Sequence, residues 1–112
     1  MSTQLFRQYK FRNIGTAAQD APDGSNFSTN DTVIGLHLCN VHANQIQASV
    51  YVSNNSNNYY IIKDVNIPSG ASLQVLDGGA KMNVVSGDRL WIISNTASSL
   101  DAFVSVVQAI SS

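Results

Sequence analysis

Residues 45–53 read Gln-Ile-Gln-Ala-Ser-Val-Tyr-Val-Ser. Ile46, Ala48, Val50 and Val52 alternate with Gln47, Ser49 and Tyr51. In an extended chain this rhythm puts four apolar side chains on one face and the polar residues and Tyr51 on the other. A helix would scatter the same residues round its circumference. The stretch therefore predicts a half-buried β-strand.

The rhythm recurs on either side. Residues 32–41 set Ile34, Leu36 and Leu38 on one face and Gly35, His37 and Cys39 on the other. The joint His42-Ala43-Asn44 is short, so these two strands are expected to pair as a hairpin. Residues 53–58, Ser-Asn-Asn-Ser-Asn-Asn, hold nothing to bury and read as an exposed loop. A strand rich in β-formers follows at 59–65. Ile67-Pro68-Ser69-Gly70 then makes a turn, with Pro fixing φ and Gly free to turn positive. Short strands at 71–76 and 81–85 end at Asp77-Gly78-Gly79 and Ser86-Gly87-Asp88. In 89–95 the run Leu90, Trp91, Ile92, Ile93 is apolar on both faces, which predicts a central strand with Trp91 buried. Residues 101–110 set Ala102, Val104, Val106 and Ile110 against Phe103, Val107 and Ala109.

Short strands at even spacing imply an all-β, antiparallel β-sandwich of about seven or eight strands, jelly-roll or Ig-like. Residues 5–14 supply an N-terminal arm or an extra strand. Residues 16–31 lack periodicity and hold Asp20, Pro22, Asp23, Gly24 and Asp31, so they read as a long loop or arm. The organisation expected is an arm or edge strand with a long loop over 1–31 and the sandwich over 32–112.

Composition agrees with this. The 112 residues suit one domain, and 44% hydrophobic residues can fill one core. Only 12% are charged, against about 25% in an average soluble domain, and the net charge is −1. There is no global field to draw in nucleic acid or an anionic membrane. A neutral polar surface fits a protein held in an assembly better than a free monomer, which keeps itself soluble with Lys and Glu. All seven acids are Asp, a turn residue, and Glu is absent. Cys39 is the only cysteine, so an intrachain disulfide is impossible. No apolar run approaches the roughly 18 residues of a membrane-spanning helix. No apolar segment follows the basic residues near the start, so a route without secretion is expected.

Candidates for chemistry are few. His37, Cys39 and His42 are the soft metal ligands, but zinc wants four protein ligands, or three with an open position. Partly buried strand residues explain them as well. A Cys39–His37 nucleophile pair would sit about 7 Å apart along the backbone with no third group to orient the histidine. Asp20, Asp23 and Asn26 lack the spacing of a calcium loop. Gly78 and Gly79 lack the Lys-Ser or Lys-Thr of a phosphate loop. No catalytic residue, metal or cofactor is expected, and the chain reads as a non-enzyme.

Two groups point to contacts instead. Arg7, Lys10 and Arg12 are half of all the positive charges, interleaved with Leu5, Phe6, Tyr9 and Phe11. This is either a first strand with solvated charges or an arm that pairs with a neighbouring subunit. Three charges are too few for tight nucleic-acid binding, where phosphate contacts number roughly six to ten. Tyr59 and Tyr60 point to opposite faces of their strand. With Trp91 they could form a sugar platform, or serve an interface, where aromatic residues are enriched. The candidate subunit-interface set is thus Leu5, Phe6, Arg7, Tyr9, Lys10, Phe11, Arg12, Tyr59 and Tyr60.

One further pattern is distinctive: Asn13-Ile14-Gly15-Thr16, Thr32-Val33-Ile34-Gly35-Leu36, Tyr59-Tyr60-Ile61-Ile62-Lys63-Asp64, Ile67-Pro68-Ser69-Gly70, Gly78-Gly79 and Ser86-Gly87-Asp88-Arg89-Leu90. It resembles the small β-sandwich virion proteins of tailed phages, including those of cyanobacteria, over residues 9–110. The departure is Ala17-Ala18-Gln19-Asp20-Ala21-Pro22-Asp23-Gly24, where a second apolar strand would be expected. The resemblance implies a structural part of the particle, such as head decoration or cement, neck or tail accessory protein. Its partners would be other virion proteins and copies of itself, with no direct nucleic acid or membrane, in a particle assembled in the host cytoplasm. A carbohydrate-binding β-sandwich module is the alternative.

Overall fold

The computed structural model describes residues 3–21, 31–76, 82–85 and 87–110, with backbone alone for 3–7, 21 and 108–110. The described residues hold nine strands: β1 (Thr3–Ile14), β2 (Gln19–Ala21), β3 (Asp31–Asn40), β4 (Ile46–Asn54), β5 (Asn57–Ile67), β6 (Ser72–Leu76), β7 (Met82–Val84), β8 (Arg89–Ser94) and β9 (Leu100–Ile110). All pairings are antiparallel. One sheet, A, runs β1-β9-β3-β6, with β7 also on β3; the other, B, runs β2-β8-β4-β5.

The order has a simple origin. The chain doubles back on itself at the β4–β5 turn, so β4 pairs β5, β3 pairs β6 and β7, β2 pairs β8 and β1 pairs β9. The resulting double ribbon is wound round one core, joining β3 to β9 and β4 to β8. This is the jelly-roll arrangement of the sandwich. Val33, Leu36 and Leu38 from β3, Ile46, Ala48 and Val50 from β4, Leu90 and Ile92 from β8, and Val104 and Val106 from β9 are buried between the sheets, each 0–1% exposed. Burying a side chain of this size contributes about 1.5–3 kcal/mol.

Four sequence expectations are corrected. First, β3 and β4 form no hairpin; the joint between them crosses from sheet A to sheet B. Asn40, buried at the end of β3, donates from Nδ2 to the carbonyls of Asn44 and Ile67, and its Oδ1 accepts from the His42 amide. These bonds turn a loop of hairpin length into a corner. Second, 53–58 is the true hairpin. Ser53 pairs Asn58 and Asn54 pairs Asn57, leaving a two-residue turn with φ of 51° at Asn55 and 66° at Ser56. Positive φ at both central residues is the turn whose twist matches a β-ribbon.

Third, Gln19–Ala21, read as loop, is a three-residue strand on β8. It is too short to display a period, and Asp20 is pinned by Arg89, Nε to Oδ2 3.4 Å. Fourth, Ile34 does not share the inward face of Leu36 and Leu38. A register shift between Val33 and Gly35 puts Val33 inside and Ile34 outside. Of the two readings of 5–14, the extra strand forms, as β1. Its corner into β2 is tight: a Cβ on Gly15 would lie 3.1 Å from the Ala97 Cα. Asp77-Gly78-Gly79, Lys81 and Ser86 lie outside the described residues, as do Pro22 to Asn30 within the expected long loop.

Candidate interaction surfaces

Residues directly opposite in an antiparallel pair share a face. On β1, Tyr9 and Phe11 face Val104 and Ala102, so they point inward and pack half-buried against the rim of the core. Lys10 faces Phe103, so it points outward with exposed Arg12 on the same face of sheet A. The Lys10 ammonium lies 5.8 Å from the Phe103 ring centroid, within reach of a cation–π attraction. Leu5, Phe6 and Arg7 occupy β1 register positions opposite Gln108, Val107 and Val106.

His37 and Cys39 stand opposite Phe103 and Asp101 on that outward face. With Lys10, Phe11 and Arg12 these residues line a shallow depression of about 310 Å³. The Asp101 Oδ1 accepts from the Asn13 amide at 2.9 Å. His42 is at the β3–β4 corner, where its Nδ1 accepts from the Asn44 amide at 3.1 Å. Among the described residues no three His, Cys, Asp or Glu side chains gather as a metal site.

Tyr59 and Tyr60 lie on β5, the edge of sheet B at the opposite side of the sandwich. They are 58% and 48% exposed. Tyr59 pairs Val52, whose side chain packs against the core, while Tyr60 pairs Tyr51 on the outer face. Tyr51 in turn pairs Trp91. The result is a row of three rings across three strands. Tyr60 and Tyr51 are 5.1 Å apart and tilted; Tyr51 and Trp91 are 6.2 Å apart with planes 16° from parallel. Lys63 lies over Tyr60 at 5.1 Å and Arg89 over Trp91 at 5.6 Å. The Trp91 indole donates to the Ser53 hydroxyl at 2.9 Å.

Trp91 is thus half-buried on an outer face, where burial was expected. Leu90 and Ile92 take the inward positions on either side of it. For Tyr51, the centre of the row, the sequence discloses only an outward position; its neighbours depend on a register that two bulges displace. Burial and the neighbouring Tyr60 phenol push the Tyr51 phenol above its ordinary 10.0.

The remaining hydroxyl clusters hold the fold. Ser49 accepts from the Asp64 amide at 2.9 Å and fixes a bulge in β5, and Ser94 is hydrogen-bonded to Ser99 beneath the Thr96 turn. The hydrogen bonds of Ser49, Ser94 and Ser99 go to Asp64, to each other and to Thr96, and not to a histidine that could activate a nucleophile.

No family model matches this sequence, and no curated protein matches it. Solved structures do match in shape. A subunit of the disulfide-linked pili of Bacillus endospore appendages aligns over 99% of this chain and 89% of its own, with TM-score 0.61 and 14% identity. The nucleoplasmin-like N-terminal domain of Drosophila FKBP39 aligns over 97% and 93%, with TM-score 0.53 and 12% identity. A pentameric capsid protein from metagenomic phage sequences aligns over 94% of this chain and 64% of its own, with TM-score 0.50 and 15% identity. What the chain shares with all three is the β-sandwich fold.

Proposed function

We propose that this chain is a non-enzymatic structural component of a phage virion, a head decoration, neck or tail accessory protein acting through protein–protein contacts in a symmetric assembly. The carrying observation is the surface. Only 12% of residues are charged, yet Tyr59, Tyr60, Phe103, Ile34, Val41 and Val85 are all exposed. Aromatic and aliphatic side chains on a weakly charged surface fit a protein that is covered by others. The sandwich supplies rigidity, and repeated copies turn modest contacts into firm attachment.

In this reading residues 1–31 are the contact-making part, since β1 and β2 give each sheet an edge on the same side. Tyr59 and Tyr60 offer a second surface to other virion proteins. The shape shared with a pilus subunit and a phage capsid protein supports the reading, as does the sequence resemblance to virion proteins. Size-exclusion chromatography with light scattering, together with cross-linking in intact particles, tests it. The protein is expected in particles, cross-linked to neighbours; a monomer absent from particles contradicts the proposal.

A carbohydrate-binding module is the second reading, favoured by the near-parallel Tyr51–Trp91 pair beside Tyr60. Against it, Lys63 and Arg89 each cover a ring of that row. A glycan array decides between the two.

A further inference from the structure

Each sheet has two edges, and the strands that form them differ. β2 and β7 have three residues and β6 five, while β1 has twelve and β5 eleven. Natural proteins blunt long edges with bulges, proline or charge, because an open edge is a template for another strand. β5 is bulged twice: Lys63 and Asp64 oppose Ser49 alone, and Ile61 is skipped between the Val50–Ile62 and Tyr51–Tyr60 pairs. β1 is regular over nine consecutive pairs, from Thr3–Ile110 to Phe11–Ala102, and contains no proline. Its bulge comes only after Phe11, at Asn13 with a φ of 54°, and the blunting device it does carry is charge, Arg7, Lys10 and Arg12. The described residues place no strand on its outer side.

What could lie along it is written in its own order of residues. The cations Arg7, Lys10 and Arg12 alternate with Phe6, Tyr9 and Phe11. Antiparallel self-pairing about Gln8 sets Arg7 opposite Tyr9, Lys10 opposite Phe6 and Arg12 opposite Gln4. No cation then stands directly opposite a cation, the nearest like pair being the two Arg7 positions on a diagonal, and two cations stand opposite aromatic residues, with which they pair favourably. Centring the pair on Arg7 or Lys10 would instead put like charges face to face. Centring it on Tyr9 also keeps the cations apart but sets Gln8 against Lys10, so that Gln8→Glu would then strengthen the dimer and a cysteine at position 8 would not meet its copy.

Resting on the reading of this chain as an assembly subunit, we infer that two copies pair β1 to β1 across a two-fold axis at Gln8, joining sheet A of both into one continuous sheet. An isologous contact of this kind needs no second surface and closes on itself as a dimer. It adds backbone hydrogen bonds along the strand without a change of fold.

The test uses the full chain and the exposed Gln8. Gln8→Lys and Gln8→Glu each put a charge opposite its own copy, and each weakens dimerisation by about two- to fivefold. Mixed in equal amounts, the two variants restore the dimer as a heterodimer, because lysine then faces glutamate. Light scattering reads the mass, and native mass spectrometry of isotope-labelled partners reads the mixture. Circular dichroism checks that each variant is folded. A second variant, Gln8→Cys with Cys39→Ser, cross-links to dimer under mild oxidation, since opposed Cα atoms about 4.5–5.5 Å apart are within disulfide reach. A wild-type monomer at every concentration, variants as dimeric as the wild type, or a mixture with no rescue would overturn the inference. None of those results would touch the structural role, which recovery of the chain in particles tests separately.

Discussion

The two long edges of the sandwich are nearly equal in length and finished in opposite ways. β5 is bent by two bulges, and at one of them Asp64 takes a φ of 51° while the Ser49 hydroxyl accepts its amide. Its far end is tied down where Asn40 donates to the Ile67 carbonyl. β1 has none of these devices along Thr3–Phe11 and is held by β9 and by the inward contacts of Tyr9 and Phe11. β1 has its own bulge, with a φ of 54° at Asn13 and the Asn13 amide on Asp101, but only beyond Phe11. Bulges along the length of one edge, and a long regular stretch on the other, are what a fold needs if only one edge is to accept a neighbour. A bulge that costs local strain is justified where it prevents pairing in the wrong place.

Substitutions can erase this contrast or heighten it. The largest effect is expected at Asn40. Asn40→Ala leaves the Ile67 carbonyl and the His42 amide without their buried partner and should cost about 2–3 kcal/mol in denaturant unfolding. It should also raise amide exchange at the end of β5 toward that of an untethered edge. Phe11→Ala, on the other edge, removes a half-buried ring and should cost about 2 kcal/mol by the same measurement.

Ser49→Ala should cost about 1 kcal/mol and loosen the bulge, seen as faster exchange of the Asp64 amide. A smaller effect belongs to Tyr51. Its phenol is held above 10.0 in the folded chain, so the stability it lends is complete below pH 10 and falls as pH rises through the folded value. Tyr51→Phe should flatten that alkaline limb in pH-dependent melting. The smallest is Gln8→Lys, which should change the stability of the dilute monomer by less than about 0.5 kcal/mol while changing its association.

These same residues mark what the sequence discloses. The alternation of 45–53 and 101–106 is a local property, and the strands and their inward faces follow from it. The apolar run 89–95 correctly gives an interior strand, because only a strand with neighbours on both sides buries so much. A bulge is not local in this sense. One extra residue in β3 turned Ile34 outward, and two in β5 aligned Tyr60, Tyr51 and Trp91, which no period could foretell.

The crossover at 41–45 was hidden for a different reason. A loop of hairpin length becomes a corner only when the Asn40 side chain finds a carbonyl on the other sheet. The candidate interface residues stand out in the sequence by composition, charge beside aromatic. Their division between two opposite edges is a consequence of topology and could be read only from the strand order.

Amide hydrogen exchange across a range of protein concentration tests most directly whether β1 is the edge left open for a partner. The account predicts that outward-pointing amides within residues 3–14 become protected as concentration rises, while those of β5 keep the same rates. Exchange in β1 that is unchanged at every concentration, or protection that arises along β5 instead, would contradict it.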